Sequence, residues 1–279
     1  MRLTSKDGLT KPKSALGFDA EQEKVFDNIL SNPHGIILVT GPTGSGKSTT
    51  LYTSLSELNT EDVNIITVED PVEKKIDGVN QCQINAKAGM TFAAALRSIL
   101  RQDPDIVMVG EMRDQETAEI AIRAAITGHM VLSTLHTNDA ASTITRLVDM
   151  GVAPYMVATS LIGIVAQRLC KVVCNECKTP RMSTPEENEL LGITESATIY
   201  DACGCPKCNN TGYTGRTAIH EILLCTHEMA SLIAADGKVD AISSLAKEQG
   251  CKLLRDNVAE LVLEGRTTLD ELVKLTFAV

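Results

Sequence analysis

Ile36-Ile-Leu-Val-Thr40 runs directly into Gly41-Pro-Thr-Gly-Ser-Gly-Lys-Ser-Thr49, and this stretch decides the fold. Five apolar or β-branched residues before a turn read as a short buried strand, and residues 50–58 then show helical spacing. The pattern G-x-x-x-x-G-K-[S/T] fits at Gly41, Gly46, Lys47 and Ser48. Glycines let successive backbone N–H groups turn inward, and the helix N-terminus adds partial positive charge, so polyphosphate binds without a bulky side chain in the way. Gly41, Pro42, Thr43, Gly44, Ser45, Gly46, Lys47, Ser48 and Thr49 therefore form the candidate nucleotide-binding loop. Lys47 is expected to reach the β- and γ-phosphates, and the Ser48 hydroxyl to ligate Mg²⁺. A glycine-rich turn without a ligand is the competing reading. Motif and flanking context together favour phosphate.

The whole chain sets bounds on what surrounds that loop. Its 279 residues bury a substantial core and suit one or two domains. Hydrophobic content of 43% without a long apolar run points to a soluble globular protein, with neither signal peptide nor transmembrane segment. A net charge of −10 disfavours a nucleic-acid backbone as main partner. Nine cysteines without a signal sequence, four of them in C-x-x-C pairs, read as reduced metal-binding thiols in a cytosolic protein.

Residues 1–17, with Lys6, Gly8, Lys11, Pro12 and Lys13, read as a linker or exposed lead-in. Residues 19–30 predict an amphipathic helix capped by Asp19. The next strand, Asn64-Ile-Ile-Thr-Val68, ends in Glu69-Asp70-Pro71-Val72-Glu73. Three carboxylates at a strand end near a phosphate loop suit Mg²⁺ or its waters, and a solvated acidic turn stopped by Pro71 is the alternative. Residues 91–102 predict a helix carrying Arg97 and Arg101 on one face. Asp105-Ile-Val-Met-Val-Gly-Glu111 is a buried-strand pattern ending in an acid, with Gly110 where many related ATP-binding loops are partnered by Asp. Glu111 is thus the candidate base, and Arg113 is either a structural ion-pair partner or a group that offsets charge in a transition state. After a helix over 116–127 comes the strand Met130-Val-Leu-Ser-Thr-Leu135, bracketed by His129 and His136. These histidines are either γ-phosphate sensors or ordinary turn and core residues. Repeated strand-helix alternation argues for a parallel sheet with helices on both faces.

Cys174-Asn-Glu-Cys177 and Cys205-Pro-Lys-Cys208 are two knuckles whose four thiolates suit one structural Zn²⁺, while Cys170 and Cys203 stand as spare thiols. Between the pairs, Thr184-Pro-Glu-Glu187 predicts a capped helix. Ala218-Ile-His-Glu-Ile-Leu-Leu224 is apolar again, and the rest is helical in pattern, broken at Gly237, Gly250 and Gly265.

In combination, these residues and Leu100-Arg-Gln-Asp-Pro-Asp105, Gly110-Glu-Met-Arg-Asp114, Thr127-Gly-His129, Ser133-Thr-Leu-His-Thr-Asn138 and Gly212-Tyr-Thr-Gly-Arg216 resemble the secretion-ATPase superfamily. More specifically, they resemble its type II secretion and type IV pilus assembly ATPases. The resemblance implies an α/β fold: a RecA-like ATPase core over 18–172, a tetracysteine zinc-binding subdomain over 173–215 and a C-terminal helical subdomain over 216–279. It implies ATP, Mg²⁺ and Zn²⁺ as cofactors. Glu69, Asp70 and Glu73 fall in the family's acidic box, Glu111 in its Walker B position, and His129 and His136 in its histidine box. Arg97, Arg101 and Arg113 match arginines that act at or across the nucleotide site. It further implies a homo-hexameric ring at the cytoplasmic face of the bacterial inner membrane, attached through a platform protein and not to nucleic acid. The tetracysteine segment favours an assembly or export motor over a retraction motor, and the domains that precede the core in known members are expected outside this chain. Two rivals remain at this stage: a nucleotide-gated scaffold with little turnover, and a DNA-directed RecA-like ATPase.

Overall fold

The computed structural model describes residues 12–277. Of the expected lead-in over 1–17, residues 1–11 therefore lie outside the described residues. The chain then runs through α1 (Ala20–Leu30), β1 (Gly35–Thr40), α2 (Lys47–Leu58), β2 (Ile65–Glu69), β3 (Asn80–Gln83), α3 (Phe92–Ile99), β4 (Ile106–Val109) and α4 (Gln115–Ile126). It continues through β5 (Met130–Leu135), α5 (Ala140–Asp149), α6 (Pro154–Ser160), β6 (Leu161–Val173), β7 (Thr179–Met182), α7 (Pro185–Leu191), β8 (Thr198–Asp201) and β9 (Tyr213–Leu224). Four helices follow: α8 (His227–Ala234), α9 (Val239–Glu248), α10 (Leu254–Leu263) and α11 (Leu269–Phe277).

Seven strands form one sheet in the order β3-β2-β4-β5-β1-β6-β9. The first six are parallel, and β9 closes the edge antiparallel to β6. Strands covered on both faces lose the polar alternation of an exposed sheet, which is why β1, β2, β4 and β5 read as plain apolar runs. The period of two survives in which face each side chain joins. Ile36 and Leu38 pack with α3, α4, α5 and α6 through Leu96, Ile122, Ile144 and Val157. Ile37 and Val39 pack with α1 and α2 through Phe26, Ile29, Leu51 and Leu55.

Caps fix several helix starts. Asp19 accepts from Gln22 N, and Gln22 returns a bond to Asp19 N, a reciprocal box at the head of α1. Thr184 and Glu187 make the same exchange at α7. The helix expected over 91–102 is shorter: Thr91 caps it, but α3 ends at Ile99, and the turn beyond carries Asp103 at φ +50°. The expected boundary at 216 falls inside β9, whose residues pair with β6 from Val173 back to Gly163. Beyond Val173, β7 and β8 pair as a small hairpin around α7. Leu191 and Ile199 of this region share an apolar cluster with Val258, Val262 and Leu272 of α10 and α11.

Candidate active site and metal centre

Parallel strands bring their C-terminal ends to one edge, where the connecting loops form a crevice. Here that edge gathers the turn after β1, Glu69 at the end of β2, Glu111 after β4 and His136 after β5. The loop between β1 and α2 needs glycine for a physical reason: Gly46 has φ +94°, a backbone geometry that costs other residues. Lys47 Nζ donates to Gly41 O at 2.8 Å and Pro42 O at 3.1 Å, so the ammonium arches across the loop's own carbonyls. Burial lowers its affinity for a proton, and the facing Glu111 carboxylate opposes that shift.

Ser48 Oγ donates to Glu73 Oε1 at 3.3 Å. A hydroxyl beside an exposed carboxylate is a hard-oxygen donor set that suits Mg²⁺. Glu69 has a different setting from the other two acids. It is 4% exposed, and its carboxylate accepts from Tyr52 Oη, from Thr67 Oγ1 at 2.5 Å and from Gln81 Nε2 at 3.0 Å. Tyr52 Oη in turn accepts from Glu73 N at 3.1 Å. Burial, then the Glu69 hydrogen bond, drives the phenol's pKa upward. Glu69 thus ties α2 to the acidic segment, while Asp70 and Glu73 face solvent.

Glu111 is largely covered and sits between two cationic or titratable partners, Arg113 and His136. His136 Nε2 lies 3.4 Å from its Oε2. The Glu111 hydrogen bond raises the Arg113 pKa, with Asp70 adding to it. Gly110 stands where β4 meets β2: its N–H donates to Val68 O at 2.8 Å, and a Cβ there would lie 3.3 Å from the same oxygen. Little room remains for the aspartate of the wider pattern.

Of the remaining sequence candidates, His129 stands apart from this edge. His129 precedes β5 at the opposite end of the sheet, bonded through Nδ1 to Ala124 O at 3.1 Å. Its carbonyl accepts from Gly35 N, the start of β1, so roughly 20 Å of strand separates it from the phosphate loop at ~3.3 Å per residue. Arg97 pairs with Glu116 at 2.6 Å on the helical surface, and Arg101 is exposed in the turn after α3.

Sequence reasoning missed Tyr52 and the buried pair Gln167-Arg168 on β6. Gln167 bonds to Ser45 O and Thr50 Oγ1. Arg168 donates to Asn138 Oδ1 at 3.1 Å and Leu275 O at 3.2 Å, tying the segment after β5 to α11. A polar pair inside the apolar run 161–169 was the available signal.

At the far end of β6, Cys174, Cys177, Cys205 and Cys208 bring their four sulfurs within 4.8 Å of one another. Cys174–Cys205 and Cys177–Cys208 separations are 3.9 Å, and Cys205–Cys208 is 3.8 Å. A tetrahedral site with Zn–S bonds of about 2.3 Å requires S···S edges of about 3.8 Å. Backbone N–H groups also point at the sulfurs: Gly204 at Cys177, and Cys205 and Gly212 at Cys208. Donor type, spacing and N–H···S bonds all fit a zinc tetrathiolate. The spare thiols lie elsewhere: Cys170 is buried against Thr267, its pKa pushed up by that burial to about 11, and Cys203 is exposed beside Thr179.

Comparison with known proteins identifies the family. The sequence model of the family described as "Type II/IV secretion system protein" matches residues 1–274. The type II secretion system ATPase E of Vibrio cholerae is 48% identical over 278 residues, 99% of this chain and 55% of that one. The type IV pilus assembly ATPase PilB of Thermus thermophilus is 48% identical over 280 residues, 99% of this chain and 32% of that one. The chain thus spans about half the length, or less, of these curated relatives. Among solved structures, the pilus retraction motor PilT with bound ADP superposes with a TM-score of 0.73 at 31% identity, over 97% of this chain and 68% of that one. The chain belongs to the type II/IV secretion system protein family, on the branch of the type II secretion and type IV pilus assembly ATPases.

Proposed function

We propose that this chain is the ATP-hydrolysing region of a motor that drives assembly of a type IV pilus or of the pilus-like fibre of type II secretion. The observation that carries the reading is the convergence of Lys47, Ser48, Glu73 and Glu111 at one sheet edge. Lys47 and the loop N–H groups bind the β- and γ-phosphates of ATP, and Ser48 and Glu73 hold Mg²⁺ or its waters, a cation that neutralises phosphate charge. Glu111 orients the attacking water and takes its proton. Its pairing with Arg113 and His136 supports a site that becomes competent only when those partners are drawn away. Closure around nucleotide would do so.

The names of the relatives, assembly and secretion ATPases, support the polymer-driving reading over a DNA-directed one, as does the acidic net charge of −10. Arg97 and Arg101 are exposed, and Arg97 pairs on the surface with Glu116, which supports their acting on a neighbouring copy in a homo-hexameric ring. Among the described residues no helix is long and apolar enough to cross a membrane. That suits a ring held at the cytoplasmic face of the inner membrane by a platform protein. Zn²⁺ in the tetracysteine site stiffens the adjoining subdomain over 173–215 and takes no part in hydrolysis.

The test separates binding from turnover. Glu111→Gln should retain Mg-ATP binding and lose ~10²-fold or more of phosphate release, in line with removal of a catalytic base. Turnover unchanged in an assembled sample would remove Glu111 from the role.

A further inference from the structure

Gln167 is distant in sequence from the phosphate-binding loop but next to it in space. It follows Ala166, the β6 residue that pairs with Thr40 at the end of β1. The side chain is 2% exposed, and both ends of its amide are engaged. Nε2 donates to Ser45 O at 2.9 Å, and Oε1 accepts from Thr50 Oγ1 at 2.7 Å. A carbonyl can only accept, so the Ser45 oxygen fixes which end of the amide carries the N–H₂ group. One planar group therefore spans the junction between the loop and the first turn of α2.

The glycines at the two ends of the loop are shaped around the same residue. A Cβ on Gly41 would fall 2.2 Å from Gln167 O, and one on Gly46 would fall 2.8 Å from Gln167 Nε2. The consequence for phosphate follows from peptide planarity. In a trans peptide the C=O and N–H of one unit point in opposite directions. Holding the Ser45 carbonyl against Gln167 therefore turns the Gly46 N–H to the opposite side, away from β6.

We propose that Gln167 is a positioning residue for phosphate binding: it clamps the Ser45–Gly46 peptide so that the Gly46 N–H is preset toward the nucleotide. This role rests on the nucleotide reading above. It predicts a loss of affinity for the phosphate moiety without a matching loss of fold, because the clamp orients a donor and buries little apolar surface.

The measurement is calorimetric titration of the full chain with Mg-ADP, beside thermal unfolding without nucleotide. Gln167→Leu should weaken Mg-ADP about tenfold, equivalent to about 1.4 kcal/mol. Thr50→Val, which frees the other end of the amide with almost no change of shape, should weaken it severalfold and keeps the test open if the first variant fails to fold. Gln167→Glu adds a readout that packing alone would not move. Its carboxylate faces the Ser45 carbonyl at pH 8 and should bind poorly; as pH falls the protonated acid can donate to that carbonyl, so its deficit relative to wild type should shrink. Wild-type binding with all three variants within twofold would overturn the role of Gln167 alone. A wild-type chain that binds no Mg-ADP would overturn the nucleotide reading and this role with it.

Discussion

Acid should weaken this protein through one buried imidazole, and His220→Leu should remove that sensitivity. His220 is 0% exposed on β9, with its ring 4.1 Å from that of Phe18. Neither ring nitrogen has a hydrogen-bond partner among the described residues. Burial drives its pKa down to about 3, with the Asp19 carboxylate pulling weakly the other way. An unfolded histidine titrates near 6.5. Between those values the unfolded chain binds more protons than the folded one, so stability is complete above pH ~6.5 and declines as pH falls. By pH 5 the loss integrates to about 2 kcal/mol. For a chain of this size that is roughly 4 °C in midpoint. Asp19, held below its usual range despite burial by backbone N–H groups and Lys252, adds acid sensitivity of the same sign. Glu221, raised by burial, acts in the opposite sense. Both persist in the variant, so the informative quantity is the difference between chains. Thermal unfolding followed by circular dichroism at pH 8 and pH 5 should show wild type losing about 2 kcal/mol more than His220→Leu. Equal acid losses in the two would refute the argument, because they would mean that the buried imidazole does not sense the fold.

Two further outcomes concern the acidic segment and the metal centre. Tyr52→Phe removes the phenol that donates to buried Glu69 and accepts from Glu73 N; an under-satisfied buried carboxylate should cost about 1–3 kcal/mol in urea unfolding, and an unchanged midpoint would show that Glu69 finds other partners. Protein purified without chelator should carry one zinc per chain by elemental analysis, and Cys208→Ser should lose it together with thermal stability; metal-free wild-type protein would count against the tetrathiolate.

What could be read from the sequence was what local chemistry decides. The phosphate loop, the apolar strands β1, β4 and β5, and the caps at Asp19, Thr91 and Thr184 declare themselves through neighbours a few residues away. β3 did not, because Asn80-Gln-Cys-Gln83 is an edge strand with no buried face and owes its conformation to pairing with β2. Residues 161–173 hid for the opposite reason: β6 is covered almost throughout, so its apolar run shows no alternation. Glu69 and Glu73 looked equivalent as a row of acids. Only tertiary packing distinguishes them, since Tyr52 and Gln81 arrive from outside the motif and enclose one carboxylate while leaving the other open. Gln167 belongs to the same class, its partners lying more than a hundred positions upstream.

The pairing of Val173 with Tyr213 makes the whole tetracysteine region the loop of one very long hairpin. Evolution could therefore trim residues 174–212 to a short turn without breaking the sheet or altering a single register, which makes the region an accessory in topology. It is no accessory in energy. Leu191 and Ile199 cover Val258, Val262 and Leu272, and Lys178 Nζ donates to the carbonyl of Gly265. A lineage that discarded the loop would have to resurface α10 and α11 in the same step, so gain or loss of this region should travel with changes in the C-terminal helices.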